Sequence, residues 1–165
     1  MNNIKNICVY SASSTKIDPV YFEAAEELGK ILAQKHINLI NGAGCLGLMC
    51  RISDAALAAG GTVTGVIPRF MVEQGWHHKG LTRLIETESM HARKQLKADM
   101  SDGIITLPNG FYNPLLEMLQ QAISQNFMRK EHGTIWHVAQ TPEEAVNLLY
   151  TIPHWSKEIR KFAAI

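Results

Sequence analysis

The stretch Ile37-Asn-Leu-Ile-Asn-Gly-Ala-Gly-Cys-Leu-Gly-Leu-Met49 decides the fold. Residues 37–40 form a short apolar run of strand type, stopped by the loop Asn41-Gly-Ala-Gly-Cys-Leu-Gly47. Helical spacing of apolar residues then runs over 47–59, and Gly60-Gly61 ends it. A strand feeding a glycine loop and then a helix is the building unit of parallel α/β sheets. Read from Gly42, the glycines at 42, 44 and 47 satisfy GxGxxG in that strand-to-helix setting. Two readings of them stay open. They bring backbone N–H groups close to an anion at a helix start, or they let the loop pack tightly on its neighbours. The acidic residue that a dinucleotide site places roughly 20 residues further on falls instead in Gly60-Gly-Thr62, which weakens a nicotinamide-dependent reductase.

Working outward, residues 4–9 read as a first strand, followed by the small-residue loop Ser11-Ala-Ser-Ser14. Asp18-Pro19 supplies an N-cap and a first helical position, and Phe22, Ala25, Leu28, Gly29 and Leu32 give that helix one buried face. Downstream, strands are expected over 62–67, 81–86, 104–107 and 134–139. Helices are expected over 90–100, from Asn113-Pro114 to about Phe127, and from the capping signature Thr141-Pro-Glu-Glu144 to Tyr150. Strands alternating with helices predict an α/β fold, a Rossmann-like doubly wound parallel sheet with helices on both faces. Residues 1–150 read as a single Rossmann-like nucleotide-binding domain and 151–165 as a C-terminal tail holding Trp155 and Phe162.

Composition narrows the class. The chain has 165 residues, 46% of them hydrophobic and 19% charged, with a formal net charge of +1. That is the profile of a folded protein rather than a disordered one. The balanced charge argues against a nucleic-acid partner, and no run approaches the ~18 apolar residues of a membrane span. Three cysteines (Cys8, Cys45, Cys50) at spacings unlike a metal site, with no leader pattern at the N-terminus, predict reduced thiols in a cytoplasmic protein. The adjacent His77 and His78 point in different directions in either a helix or a strand, so they are read as surface or interface histidines rather than zinc ligands, and no metal site is expected.

In open parallel sheets ligands gather beyond the carboxyl ends of the strands. Three segments there carry chemistry: the Ser11–Ser14 loop, the Gly42–Gly47 loop, and Ser89-Met-His-Ala-Arg-Lys94, where Arg93 and Lys94 offer donors to a phosphate or carboxylate. These pieces resemble the LOG ("Lonely guy") family, the cytokinin riboside 5′-monophosphate phosphoribohydrolases once mislabelled as lysine decarboxylases. The resemblance runs through Cys8-Val-Tyr-Ser-Ala-Ser-Ser14, Asn41-Gly-Ala-Gly44 with Gly47-Leu-Met49, and Gly60-Gly-Thr-Val-Thr-Gly-Val-Ile-Pro68. It continues through Met90-His-Ala-Arg-Lys94, Ser101-Asp102, Gly110-Phe-Tyr-Asn-Pro-Leu-Leu116 and Thr141-Pro-Glu-Glu144.

The resemblance implies hydrolysis of the N-glycosidic bond of AMP or an N6-modified AMP, giving free base and ribose 5-phosphate. It implies no cofactor, a homodimer or higher homo-oligomer, and Arg93 as a catalytic arginine. Substrate contacts would come from Ser13, Gly42, Gly44, Arg93, Lys94 and Pro108. Cleavage through a ribosyl oxocarbenium ion needs a carboxylate to stabilise the cation and activate water. No lysine stands in a pyridoxal-phosphate context, so a decarboxylase finds no support.

The chain departs from the family at one place. The family's PGGxGTxxE is replaced by Pro108-Asn-Gly-Phe-Tyr-Asn-Pro-Leu-Leu-Glu117. Either Pro108-Asn109-Gly110 is a degenerate PGG and Glu117 the catalytic carboxylate, or a strand–helix unit of roughly 30 residues is absent between Pro108 and Gly110. The second reading is preferred, because Pro114 would stand where the motif needs threonine and cannot donate an N–H. It leaves a relative that binds nucleotide without turning it over as the alternative function.

Overall fold

A computed structural model describes residues 3–108 and 110–152. Five strands, β1 (Asn6–Tyr10), β2 (Asn38–Asn41), β3 (Val63–Pro68), β4 (Arg83–Thr87) and β5 (Gly103–Thr106), form one parallel sheet in the order β4-β3-β2-β1-β5. Parallel neighbours need crossovers, and helices supply them: α1 (Pro19–Gln34), α2 (Gly47–Ala58), the short α3 (Arg69–Glu73) and α4 (Met90–Asp99). After β5 come α5 (Asn113–Ser124), a 3₁₀ turn over Lys130–Thr134, and α6 (Pro142–Thr151).

Alternation along the strands assigns the two faces. Ile7, Val9, Leu39 and Val63 join a core with Ala25, Leu28 and Leu32 of α1, Leu48 and Ile52 of α2, and Val146 of α6. Cys8, Ile40 and Val66 point the other way, against Leu96 of α4 and Met100 that caps its end. Helices on both faces are therefore observed. Gly29 permits the close crossing of α1 and α2, since a Cβ there would lie 2.6 Å from the Ile52 carbonyl oxygen. The expected caps form: Asp18 accepts from the Val20 N–H at 3.0 Å, and Thr141 from the Glu144 N–H at 3.1 Å.

The strand expected over 134–139 does not form. The 3₁₀ turn occupies its start, residues 136–139 have no regular structure, and Ile135 and Val138 are exposed. A strand exists only where a neighbour satisfies its N–H and C=O groups, and this segment lies in no ladder. α5 ends three residues short of Phe127, with Asn126 at φ +62°. The tail is outside the described residues from 153 onward.

β5 is an edge of the sheet, and among the described residues one side of it is uncovered. Ile104 pairs with Cys8 and so faces the α4 side, yet Cys8 is fully buried while Ile104 is 49% exposed. α5 packs on the 3₁₀ turn instead and buries none of its own residues.

Candidate active site

Because all five strands are parallel, their carboxyl ends share one rim. The chain steps from β1 through β4 in one direction and then places β5 on the other side of β1. The crevice where strand order reverses is thus flanked by the loops after β1 and β5, the usual ligand position in such sheets. The Ser11 hydroxyl lies in this region, buried and without a hydrogen-bond partner among the described residues. Ser13 is exposed, and Pro108 is half-buried after a cis peptide bond that closes β5.

The glycine loop is held chiefly by bonds to the segments around it. Asn41, fully buried, accepts from the Ala43 N–H at 2.9 Å and donates to Ser53 Oγ at 2.8 Å. The Gly44 N–H reaches Met49 Sδ at 3.0 Å and the Cys45 N–H the Trp76 carbonyl at 3.2 Å. At the start of α2, the Leu48 and Met49 N–H groups donate to the Ala12 carbonyl at 3.0 and 3.4 Å. Gly47 adopts φ +64°, and a Cβ there would fall 2.5 Å from the Ser13 carbonyl carbon and 2.6 Å from the Ser14 oxygen. Close packing of the β1 and β2 loops therefore accounts for Gly47. Of the loop amides from 43 to 49, Leu46 and Gly47 are those with no partner among the described residues.

Arg93 sits in the first turn of α4, which Ser89 caps by accepting from the Ala92 N–H at 3.1 Å. Its side chain crosses to the rim of the sheet. Nε donates to the Val66 carbonyl at 2.9 Å and Nη2 to the Gly42 carbonyl at 2.6 Å, while Nη1 lies 3.6 Å from Met90 Sδ. Gly42 must be glycine for this, because a Cβ there would collide with Nη2. A guanidinium has five N–H donors, so two remain for a ligand after these three contacts. Burial pushes the Arg93 pKa down and nearby Tyr10 and Cys8 oppose that, but an arginine stays charged in a protein.

One turn further along α4, Lys97 is 5% exposed, with its ammonium 3.8 Å from the centre of the Tyr10 ring. Burial lowers its pKa from the ordinary lysine value. This second cation, on the sheet side of α4, was not singled out from the sequence; the helical spacing of 93 and 97 is its signal. Lys94 is exposed and makes no ion pair among the described residues. Glu117 is exposed in the second turn of α5, and no hydrogen bond or ion pair joins it to Arg93. Asp102 has a structural post: its carboxylate accepts from the Lys5 and Asn6 N–H groups, both at 2.8 Å, and ties the start of β1 to β5.

The profile of the SLOG cluster4 family matches residues 5–143. The chain belongs to that family. It is 29% identical over 178 aligned positions to a probable cytokinin riboside 5′-monophosphate phosphoribohydrolase of Oryza sativa subsp. japonica, covering 90% of this chain and 73% of that one. It is 38% identical to a probable enzyme of the same name from Arabidopsis thaliana, covering 72% of this chain and 59% of that one. With the cytokinin riboside 5′-monophosphate phosphoribohydrolase of Rhodococcoides fascians it shares 37% over 64% of this chain and 54% of that one. In three dimensions this SLOG chain is similar to the molybdenum cofactor binding protein of Rippkaea orientalis, with a TM-score of 0.68 at 20% identity over 91% of this chain and 98% of that one. The molybdenum cofactor carrier protein of Chlamydomonas reinhardtii gives 0.67 at 21%, over the same shares. At those identities the likeness is one of fold. No helix among the described residues is long and apolar enough to cross a membrane.

Proposed function

We propose that the rim crevice binds a nucleoside 5′-monophosphate, AMP or an N6-modified AMP, and that the chain hydrolyses its N-glycosidic bond to free base and ribose 5-phosphate. The observation that carries this reading is Arg93, held by two backbone carbonyls and Met90 Sδ with two donors left over at the rim where the strands end. A fixed guanidinium binds an anion with little further loss of freedom. Ser13, Gly42, Gly44, Lys94 and Pro108 line the route to it in this proposal, and Glu117 is the carboxylate available to steady the ribosyl cation and activate water. No cofactor enters the reaction. The exposed apolar side chains of Phe111, Leu115 and Met118 at α5, together with Ile104, support a homodimer or higher homo-oligomer, and the cytoplasm is the location proposed for it.

A second reading, nucleotide binding without turnover, is favoured by the exposure of Glu117 and the bare side of β5. The alignment with the rice relative adds to it. It takes in 90% of this chain's 165 residues, about 149, so roughly 30 of its 178 positions have no counterpart here, about one strand–helix unit. Incubation with AMP, chromatography for adenine and calorimetry for AMP binding separate the readings. Adenine release that Arg93→Lys abolishes supports hydrolysis, and its loss in Glu117→Gln assigns the carboxylate. Binding without release supports the second reading. No binding and no release overturns both.

A further inference from the structure

Away from the crevice, three side chains that the sequence scatters come together. Cys50 and Asp54 stand one turn apart on α2, and His78 follows α3 in the segment leading to β4. Their ligand atoms all lie within 4.8 Å of one another. His78 Nε2 is 2.9 Å from Asp54 Oδ1, and Cys50 Sγ is 3.4 Å from Asp54 Oδ2. In tetrahedral zinc sites, with Zn–N and Zn–O near 2.0–2.2 Å and Zn–S near 2.3 Å, neighbouring ligand atoms are roughly 3.3–3.6 Å apart. The cluster already brackets that spacing.

The geometry points to a zinc site formed by Cys50, Asp54 and His78, with water as the fourth ligand. Thiolate, imidazole and carboxylate are the donor types that zinc takes, and the i, i+4 pair on α2 presents two of them from one helix face. Asp54 is exposed, so its carboxylate can turn a few tenths of an ångström to open the short N···O separation. His78 has a cost to meet: its Nδ1 accepts from the Gly80 N–H at 3.0 Å, which places the imidazole proton on Nε2. Metal at Nε2 moves that proton to Nδ1 and gives up the Gly80 bond, an exposed one that water replaces. The Cys50 thiol releases one proton to solvent, so each zinc bound frees one proton.

The position gives the site a consequence. The His78 N–H donates to the Ala43 carbonyl at 2.8 Å, the Cys45 N–H to the Trp76 carbonyl, and Gly44 forms an antiparallel bridge with His77. A metal joining α2 to His78 would therefore stiffen the glycine loop from behind. This inference stands apart from the nucleotide reading and does not depend on it.

Cobalt(II) is the probe, added to full-length protein freed of metal by chelation and dialysis. The expected result is one equivalent bound, with intense visible bands of a tetrahedral centre and a thiolate-to-cobalt charge-transfer band that zinc bleaches. Cys50→Ser abolishes the charge-transfer band, His78→Gln weakens zinc binding at least about tenfold, and Cys45→Ser leaves both unchanged. Circular dichroism confirms that each variant is folded. A folded wild-type protein without the band overturns the proposal and leaves a hydrogen-bonded staple. So does a band that survives Cys50→Ser or vanishes only in Cys45→Ser.

Discussion

Arg93→Ala tests whether this arginine builds the rim as well as serving it. The substitution strips the donors from two buried carbonyls, those of Gly42 and Val66. A buried acceptor left unsatisfied costs ~1–3 kcal/mol, so two cost about 2–6 kcal/mol. Arg93 is itself half-buried, and water entering its place satisfies part of that demand, which brings the loss to about 2–4 kcal/mol. A domain of this size drops roughly 2–4 °C in Tm per kcal/mol, so the variant should melt about 4–16 °C below the parent protein. Thermal unfolding followed by circular dichroism at pH 7 reads this directly. Arg93→Lys keeps a charge but its single ammonium reaches one carbonyl at a time, so about half the loss is expected. An Arg93→Ala protein that melts within about 2 °C of the parent would refute the clamp. If the clamp holds, inactivity of Arg93→Ala says little about catalysis, and Arg93→Lys becomes the informative variant.

Gly47→Ala adds a left-handed residue penalty of ~1–2 kcal/mol to a Cβ forced against the Ser13 backbone. A loss of at least about 3 kcal/mol is expected in urea unfolding, and a loss below ~1 kcal/mol would contradict the packing. Asp102→Ala removes two charge-assisted bonds to the start of β1 and should cost about 2 kcal/mol, with faster hydrogen exchange at Lys5 and Asn6 than elsewhere in β1. Lys97 holds its proton less tightly in the folded chain than in the unfolded one. Above its lowered pKa and up to about pH 10 the unfolded state therefore binds more protons, and stability rises with pH. Cys8 and Tyr10, both pushed up by burial, act in the opposite sense, so the measurement is the stability of the parent minus that of Lys97→Met. That difference should climb with pH; a flat difference would remove Lys97 as its source.

Much of the fold was legible because its periods are local. Strand alternation and helical spacing placed β1 to β5, α1, α2 and α4 to α6, and the caps at Asp18 and Thr141 work through side chains within three residues of their targets. The segment 134–139 failed because strandhood is a property of a ladder, not of six residues. α3 was missed because five residues are too few to show a period. At the site, Arg93 was visible as a cation near a strand end, but its bonds to Gly42 and Val66 span 51 and 27 residues and exist only after folding. The glycine pattern was visible too, with an anion cradle and tight packing both open as readings. Which N–H groups stay available depends on Ala12, Asn41, Met49 and Trp76, and no spacing rule reaches that far. Cys50 and Asp54 were in plain view as an i, i+4 pair, and their third member lay 24 residues beyond Asp54.

The bare flank of β5 also makes this chain a natural acceptor. A row of backbone groups with no neighbouring strand among the described residues, beside exposed Ile104, is what a grafted βα segment needs in order to dock, and Pro108–Gly110 is where its two ends would be joined. Splicing such a segment from a longer relative into that point would turn the shortest stretch of the chain into a measure of what the larger enzymes gain from it, since everything on the opposite side of the sheet would stay the same.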